Sequence, residues 1–353
     1  MGKILSVIIP SYNMEHFLSK CIGSCMVSDE CLRQAVEIIV VNDGSRDATS
    51  RIAHEWEAKH PNVVKVLDKE NGNYGSCINA ALPLARGTFV KILDADDHFD
   101  NVAFKQFLMI LQDSERNEEC VDLFLSDFVW VDDKDNEKKR VTCSAKASIP
   151  IDADDADGLG LIYMHSIAYR TSLLRAMGYR QTEGVSYTDN EWACYPMAGV
   201  HRLRYEPLAV YRYLVGREGQ TIDPNVRARS FWMRAIIANR MVDNFGSLPK
   251  EVPIMMRDYV EHFELMIVTQ LYNTAILELP TLDMNQALWD FDKEFERKNK
   301  SMHDLVMLKL RSKAINFSYG MYWRRHRCNT GVVLSMFRLY LRLAALVSLW
   351  RSR

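Results

Sequence analysis

The sequence predicts an α/β protein built on a mostly parallel sheet that is flanked by helices on both faces. Over roughly the first 130 residues, short apolar runs alternate with segments of helical spacing, as is typical of such sheets. The runs are continuously apolar rather than alternating, which indicates strands that are buried on both faces. The chain has 353 residues, of which 48% are hydrophobic, so it can form a substantial core. Its net charge of -2 gives no indication of nucleic-acid binding.

The strands are predicted from short runs of β-branched and other apolar residues, the first of which ends at Pro10. A helix is predicted for Asp47–Lys59, because Ile52 and Trp56 recur there at helical spacing. In chain order, the predicted strands are Ile4–Pro10, Val36–Asp43, Val63–Leu67, Phe89–Leu93 and Leu123–Val131.

Small, aromatic or polar residues follow the first three strands. Ligands of parallel sheets bind beyond the carboxyl ends of the strands, so these residues are candidates for a binding site. Tyr12 follows the first strand and could stack on a nucleotide base, and Asp43 ends the second strand and could accept a hydrogen bond from a base N–H. Gly72 and Gly75 follow the third strand and would allow a close approach of the backbone. Together the residues at these strand ends predict a nucleotide-binding site.

An acidic cluster ends the fourth strand, in the stretch K-I-L-D-A-D-D-H at 91–98. Asp94 and Asp96 are two residues apart on an extended strand end, so both side chains can point at one site. Hard oxygen ligands in this arrangement suit Mg²⁺ or Mn²⁺ that is shared with a diphosphate. An ordinary acidic turn after a strand is the alternative interpretation of these residues.

The eight cysteines form no C-x-x-C pair and no regular framework. Cys21 and Cys25 could share a helix face, but no second pair of ligands accompanies them, and we therefore expect no structural zinc. Reduced thiols are typical of a cytoplasmic protein. The N-terminus leads directly into the first strand without the pattern of a signal peptide, which also predicts a cytoplasmic location.

Four segments form one ordered pattern over roughly residues 4–100. They are V-I-I-P-S-Y-N, then I-I-V-V-N-D-G-S-R-D, then N-G-N-Y-G-S-C-I-N-A-A, then G-T-F-V-K-I-L-D-A-D-D. In order and spacing, this pattern resembles the N-terminal half of family 2 glycosyltransferases, which have the GT-A fold. The resemblance implies a nucleotide-diphosphate sugar as donor, a UDP-sugar being the first expectation, and Mn²⁺ or Mg²⁺ as cofactor.

The resemblance also implies roles for particular residues. Asn79 stands where the family has a polar residue near the nucleotide. Asp94 and Asp96 would be the D-x-D pair, which contacts the donor and the cation, with Asp96 as the more direct metal ligand. The residues that would line the pocket of the nucleotide base are Pro10, Tyr12 and Asp43.

After residue 130 the resemblance continues in shorter pieces. His165–Arg170 is similar to the strand on the acceptor side, and a short helix, Thr171–Met177, should follow it. Family members usually have Glu-Asp at the position of Thr188 and Asp189, so only Asp189 matches here. The resemblance implies that Asp189 is the catalytic base.

Two other interpretations of this segment stay open. Glu191 is a competing carboxylate for the role of base. Alternatively, Asp189 caps a predicted helix over Asn190–Ala198 and has no catalytic role. If Asp189 does begin a helix, the positive end of the helix should favour its ionised form.

The segment Tyr211–Ile222, Y-R-Y-L-V-G-R-E-G-Q-T-I, is similar to one found in bacterial capsule and cell-wall polysaccharide transferases. The resemblance implies that Arg217, in a loop flanked by glycines, closes over the diphosphate and stabilises the leaving group. A guanidinium suits this role because it forms bidentate contacts with phosphate. A surface turn in which Arg217 pairs with Glu218 is the alternative.

Residues 223–353 are predicted to form a helical C-terminal region. Its last part is basic, because no acidic residue follows Asp304. Val332–Trp350 is strongly apolar, with Ser335, Arg338 and Arg342 as a narrow polar stripe, which favours a helix lying in the interface of an anionic membrane over one that spans it. Packing on the catalytic domain or on a partner is the alternative. The predicted helices before it are Phe231–Val242, Met256–Asn273 and Met284–Arg297.

These observations predict a GT-A catalytic domain at 1–222 and a helical region at 223–353. The expected reaction is sugar transfer with inversion to a hydroxyl of a glycan or lipid-linked oligosaccharide, as in the synthesis of bacterial surface polysaccharides. A tail that lies on the inner face of the cell membrane would bring the site to a lipid-linked acceptor.

Two alternatives to this function remain. One is a non-catalytic protein that binds a sugar nucleotide or a glycan and recruits a transferase, which Thr188 keeps open. The other is a sugar nucleotidyltransferase, but a glycine-rich basic loop would then follow the first strand, where P-S-Y-N stands.

Overall fold

The computed structural model describes residues 2–156, 159–216, 230–278 and 280–351. The strands are β1 Leu5–Ser11, β2 Val36–Asp43, β3 Val64–Lys69, β4 Phe89–Ile92, β5 His98–Phe99, β6 Leu123–Val131, β7 Glu137–Val141, β8 Pro150–Asp152, β9 Ile167–Arg170 and β10 Arg202–Leu214. The helices up to residue 200 are α1 Leu18–Ser24, α2 Glu30–Ala35, α3 Thr49–Lys59, α4 Asn73–Ala81, α5 Asn101–Arg116, α6 Thr171–Ala176 and α7 Asp189–Cys194. The later helices are α8 Phe231–Gly246, α9 Ile254–Asn273, α10 Leu282–Lys298, α11 Lys300–Lys309, α12 Tyr319–His326 and α13 Val332–Arg351.

The strands form one sheet in the order β3-β2-β1-β4-β9-β6-β10-β5, with β7 beside β6 and β8 beside β10. The first four are parallel, since β1 pairs with β2 and β4, and β2 pairs with β3. Strand β9 is antiparallel to both of its neighbours, β4 and β6. The carboxyl end of β4 therefore lies beside the amino end of β9, which brings residues far apart in sequence to one edge.

The burial of the strands explains why the sequence predicts them well. Every residue of β1, β2 and β4 is buried, as continuous apolar runs require. The predicted bounds of β2 and β6 match the structure, and the class of α/β protein with a mostly parallel sheet is confirmed. The strands β5, β7 and β8 were not predicted, because two are only two or three residues long and β7, E-K-K-R-V, is charged.

The chain forms two compact units, Met1–Gln220 with Pro249–Val260, and Thr221–Leu248 with Glu261–Arg353. The first contains the sheet, and its core includes Val7, Val40, Phe89 and Phe124. The second is helical, and its core includes Leu271, Phe291 and Trp323. The predicted boundary at residue 222 falls within 217–229, outside the described residues, and it stays a prediction.

The last helix, α13, packs one face on the core of the second unit through Leu334 and Phe337. Arg338 lies on the predicted narrow polar stripe of this helix. Its guanidinium donates to the backbone carbonyls of Ile276 and Asn329, each at 2.7 Å, and so fastens the helix. Among the described residues, every helix is too short or too polar to cross a membrane.

Candidate active site

Three side chains from two strand ends meet at the carboxyl edge of β4. Ligand atoms of Asp94, Asp97 and His165 all lie within 4.8 Å of one another. Asp94 and Asp97 follow β4, and His165 precedes β9, which is the antiparallel neighbour of β4. The topology of the sheet thus creates a group of two carboxylates and one imidazole.

Two tyrosines hold the acidic residues in place. The hydroxyl of Tyr211 donates to Asp97 Oδ2 at 2.6 Å and accepts from the backbone N–H of Asp94 at 3.1 Å. The backbone N–H of Leu214 donates to Asp97 Oδ1 at 2.7 Å. Tyr74, from α4, donates its hydroxyl to Asp94 Oδ1 at 2.7 Å. The carboxylates are therefore fixed by donors before any ligand binds.

The negative charges at this site raise the pKa values of neighbouring side chains. Asp97 is buried, and burial together with the charges of Asp96 and Asp94 raises its pKa well above the usual range. Burial also raises the pKa of Tyr213, and the charges of Asp97, Asp94, Asp96 and Asp189 add to that increase. Asp96 and Asp189 are therefore near the cluster, although Asp96 lies outside the group formed by Asp94, Asp97 and His165.

His165 lies in an aromatic environment. Its ring stacks on Phe128 with centroids 4.8 Å apart, and the rings of Tyr211 and Tyr213 pack beside it at 4.8 Å and 4.7 Å. The ammonium of the buried Lys91 donates to the backbone carbonyl of His165 at 2.6 Å. Burial lowers the pKa of His165 to about 3, with a smaller effect from the charge of Lys91, so the imidazole is neutral.

The residues predicted for the nucleotide base lie along the ends of β1 and β2. Pro10 is buried in β1, whereas Tyr12 is 43% exposed and available for stacking. Asp43 is buried, and its Oδ1 accepts hydrogen bonds from Lys69 Nζ at 2.6 Å and from the backbone N–H of Gly72 at 2.9 Å. The contact of Lys69 with Asp43 was not predicted from the sequence.

Asn79 lies on α4, but its amide group contacts another loop. Its Nδ2 donates to the Gln181 carbonyl and to Glu183 Oε1, both at 2.8 Å, and its Oδ1 accepts from the Gln181 N–H at 2.8 Å. Both amide hydrogens and the oxygen are therefore used to hold the loop 181–183. A direct contact with the donor would require these bonds to open.

The backbone of the same loop passes very close to α4. A Cβ added at Gly75 would lie 2.1 Å from the Thr182 carbonyl oxygen, so a residue with a side chain does not fit there. The sequence predicted that the glycine allows a close approach of the backbone to a ligand. In the structure it allows the approach of Thr182 instead, because α4 and the loop pack directly on each other.

Asp189 is the first residue of α7 and not its cap, since Thr188 precedes the helix without a capping side-chain bond. The helix ends at Cys194 and continues as a 3-10 turn over Tyr195–Gly199, because Pro196 lacks the N–H that an α-helix needs. The predictions of an Asp189 cap and of a helix over Asn190–Ala198 are therefore corrected.

Backbone N–H groups at the start of α7 favour the ionised form of Asp189, as expected, but a second effect on its pKa is larger. Solvent reaches its side chain, but surrounding protein atoms limit its hydration and raise its pKa to about 6. Backbone N–H groups of Asp189 and Asn190 lower the pKa, but they do not compensate for the lost hydration. The charge of Glu191 adds to the increase.

Glu191 is buried, and both of its oxygens have defined donors. Oε2 accepts from the backbone N–H of Thr182 at 2.7 Å, and Oε1 accepts from the Thr182 hydroxyl at 2.7 Å. This competing carboxylate thus holds the loop 181–183 from the side of α7, as Asn79 holds it from the side of α4.

Arg217 lies in 217–229, outside the described residues, and its role stays a prediction. Asp97, His165 and Tyr74 were not predicted from the sequence as site residues. Asp97 was visible as the last acid of D-A-D-D, and Tyr74 lies within the motif N-G-N-Y-G-S. For His165 the signal was weak, because its proximity to the acids depends on the antiparallel pairing of β4 with β9.

The carboxylate cluster at the end of β4 lies at the carboxyl edge of a mostly parallel α/β sheet, next to the end of β1. The model of the family described as Glycosyl transferase family 2 matches residues 6–176, so the chain carries a domain of this family. The resemblance that was inferred from the four motifs is thereby confirmed.

Bacterial proteins match about a third of the chain. The uncharacterized glycosyltransferase EpsJ of Bacillus subtilis (strain 168) is 34% identical over 121 residues, which cover 33% of this chain and 32% of EpsJ. The minor teichoic acid biosynthesis protein GgaB of the same organism is 34% identical over 113 residues, which cover 32% of this chain and 12% of GgaB. The matched segments thus span about a third of the curated relatives' length or less.

A solved structure resembles a larger part of the chain. The crystal structure of S. aureus TarS 1-349 in complex with UDP-GlcNAc has a TM-score of 0.63 and 20% sequence identity, and the match covers 92% of this chain and 88% of that chain. The likeness includes the helical C-terminal region and confirms the predicted GT-A fold.

Proposed function

We propose that the protein is an inverting glycosyltransferase that moves a sugar from a nucleotide-diphosphate sugar to a hydroxyl group of an acceptor. The observation that carries this proposal is the cluster at the carboxyl end of β4, where ligand atoms of Asp94, Asp97 and His165 lie within 4.8 Å of one another. Direct displacement needs a base on the acceptor side and a group that stabilises the leaving diphosphate on the other side.

In this proposal Asp189 accepts the proton of the acceptor hydroxyl. A pKa of about 6 suits a general base, because the carboxylate is ionised at neutral pH and still has appreciable affinity for a proton. Glu191 is the weaker candidate, since both of its oxygens already accept hydrogen bonds from Thr182. Arg217 keeps its predicted role of stabilising the leaving diphosphate.

The donor set at the end of β4 fits a divalent cation. Carboxylate oxygens suit Mg²⁺ and Mn²⁺, and Asp94, Asp96 and Asp97 place several of them around one edge. A cation bound there would neutralise charge on the diphosphate of the donor. Asp94 and Asp96 remain the proposed D-x-D pair, with Asp97 and His165 as additional groups within reach of Asp94.

Tyr12, Pro10 and Asp43 would line the pocket for the nucleotide base, with Asn79 supporting it from α4. TarS shares the fold and its structure is in complex with UDP-GlcNAc, so UDP-sugars are the first donors to test. The similarity to GgaB, a teichoic acid biosynthesis protein, supports a role in the synthesis of bacterial surface polysaccharides. The proposed acceptor is a glycan or a lipid-linked oligosaccharide.

A screen for thermal stabilisation tests the donor. UDP-, GDP- and dTDP-sugars are added with and without Mn²⁺, and we expect one donor to raise the melting temperature in a metal-dependent way, since a ligand that binds only the native state stabilises it. Slow hydrolysis of that donor would support catalysis. Metal-dependent binding without any turnover, with acceptors of several classes present, would favour the alternative of a non-catalytic sugar-nucleotide-binding protein.

We also propose a contact between α13 and the inner face of the cell membrane. The helix exposes a continuous apolar face that includes Val332, Met336, Leu339 and Leu343, and Met336 is 67% exposed. Arg342 borders this face, and no acidic residue follows Asp304. An apolar face with basic neighbours matches the interface of an anionic bilayer.

A further inference from the structure

We infer that His165 is a ligand of the same divalent cation that Asp94 binds, so that the cation site extends beyond the D-x-D pair to a residue about seventy positions away in sequence. This inference rests on the proposed cation at the end of β4. It adds a nitrogen ligand and, with it, a preference for one metal over another.

Geometry is the first support. The ligand atoms of Asp94, Asp97 and His165 lie within 4.8 Å of one another. Opposite ligands of one ion at distances of roughly 2.0–2.2 Å are about 4.4 Å apart, so a shift of a few tenths of an ångström would let all three groups share an ion. Each carboxylate oxygen has more than one lone pair, so the bonds that Asp97 accepts from Tyr211 and Leu214 leave capacity for a cation.

The second support is the state of the imidazole. Nδ1 of His165 is buried and has no hydrogen-bond partner within the described part of the chain. Buried polar atoms are usually paired, and an unpaired one at a functional site calls for an explanation such as an absent ion. An imidazole nitrogen without a hydrogen-bond partner is available to bind a metal.

The third support is the rigidity of the ring. Phe128 stacks on one face of the imidazole, and Tyr211 and Tyr213 pack around it. Lys91 holds the backbone carbonyl of His165 at 2.6 Å. Groups that orient a metal-binding histidine in this way are a regular part of metal sites, and they leave the ring little freedom to turn from the cluster.

A nitrogen ligand has a consequence for the choice of metal. Mg²⁺ favours oxygen ligands in near-ideal octahedral geometry, whereas Mn²⁺ lies further along the series of affinities for nitrogen donors. The full chain should therefore bind Mn²⁺ more tightly than Mg²⁺. Replacing His165 should weaken Mn²⁺ binding by at least about tenfold and reduce that preference.

Electron spin-echo spectroscopy of Mn²⁺ bound to the full-length chain with UDP tests the inference, because a nitrogen ligand produces a characteristic modulation of the echo. We expect this modulation in the wild type and in a His201→Ala control, an exposed histidine of the same unit. It should disappear in His165→Phe, which keeps an aromatic ring against Phe128. Thermal unfolding of the variant establishes that it folds, and His165→Asn is the second variant if the bulk of phenylalanine is not tolerated.

Persistence of the modulation in His165→Phe and His165→Asn would overturn the inference. Its absence from the wild type, while UDP binding still depends on Mn²⁺, would overturn the nitrogen ligand and leave the proposed transferase site intact. If neither Mn²⁺ nor Mg²⁺ binds or affects nucleotide binding, the cation itself is wrong, and His165 has no such role.

Discussion

Glu191 accepts hydrogen bonds from both the backbone N–H and the hydroxyl of Thr182, each at 2.7 Å, and the pair fastens helix α7 to the loop 181–183. Asn79 fastens the same loop to α4, so the loop connects the side predicted for the nucleotide with the helix that begins at Asp189. Glu191 is thus a positioning residue, and this role differs measurably from that of a base.

Replacing Glu191 by glutamine should destabilise the fold moderately. The amide of glutamine presents N–H hydrogens where the carboxylate accepts them, and an unsatisfied buried donor costs about 1–3 kcal/mol. Thermal unfolding should show a lower melting temperature, while turnover of folded enzyme falls less than in Asp189→Asn. Normal stability combined with a turnover loss of two orders or more would instead identify Glu191 as the base.

Asp189→Asn should remove the base without changing the shape of the site. General base catalysis typically contributes roughly 10²–10⁴-fold, and we expect turnover to fall by about that factor. Donor affinity, measured by calorimetry with UDP and Mn²⁺, should barely change because the variant keeps the cluster at the end of β4. Near-normal turnover in this variant would exclude Asp189 as the base.

The raised pKa of Asp189 predicts a pH dependence of both activity and stability. Turnover should fall about tenfold per pH unit below about 6, because the base must be ionised, and Asp189→Asn should lose this dependence. The folded state binds the proton more tightly than the unfolded chain does, so this carboxyl stabilises the fold at low pH. That contribution is lost as the pH rises from about 4 through about 6. An acidic limb that is unchanged in the variant would contradict the assignment.

Asp96→Asn should abolish activity and the metal dependence of nucleotide binding while the protein still folds. The change removes a carboxylate oxygen that Mg²⁺ or Mn²⁺ requires but leaves the side chain's size nearly unchanged. Asp113→Asn, on the exposed side of α5, is the control for the loss of a charge. Full activity of Asp96→Asn would leave Asp94, Asp97 and His165 as the cation ligands.

The apolar face of α13 should bind anionic vesicles. The double change Met336→Asp with Leu339→Asp should abolish co-sedimentation with vesicles of phosphatidylcholine and phosphatidylglycerol, and added salt should weaken binding of the wild type. Leu84→Asp, a 54% exposed leucine in the other unit, is the matched control. If light scattering shows a dimer that the double change dissociates, the face binds a second copy of the chain and not the membrane.

Much of the sheet could be predicted because its strands are continuous apolar runs. The bounds of β2 and β6 follow from composition alone, since both strands are buried along nearly their whole length. Strands β5 and β8 could not be predicted in this way, because they are two and three residues long and form by pairing with β10. Their existence depends on a neighbour that is fifty or more residues away in the chain.

Site residues could be predicted where they form a motif in the sequence, but not where strand pairing brings them together. Asp94 and Asp96 are visible as a motif, but His165 reaches the cluster only because β9 runs antiparallel to β4. The contacts of Asn79 with residues 181–183 and the raised pKa of Asp189 likewise depend on tertiary surroundings. In each case the sequence identifies a polar residue near a site, and the packing determines what that residue does.

The close passage of the Thr182 carbonyl past Gly75 matters for anyone who wishes to redesign donor specificity. Residues of α4 are natural targets for such work because they border the predicted nucleotide pocket. A larger side chain at Gly75 would displace Thr182, and Thr182 is bonded to Glu191 two positions from Asp189. A library that varies α4 alone would therefore change donor choice and proton transfer together. Variation of α4 should instead be paired with compensating changes at 181–183.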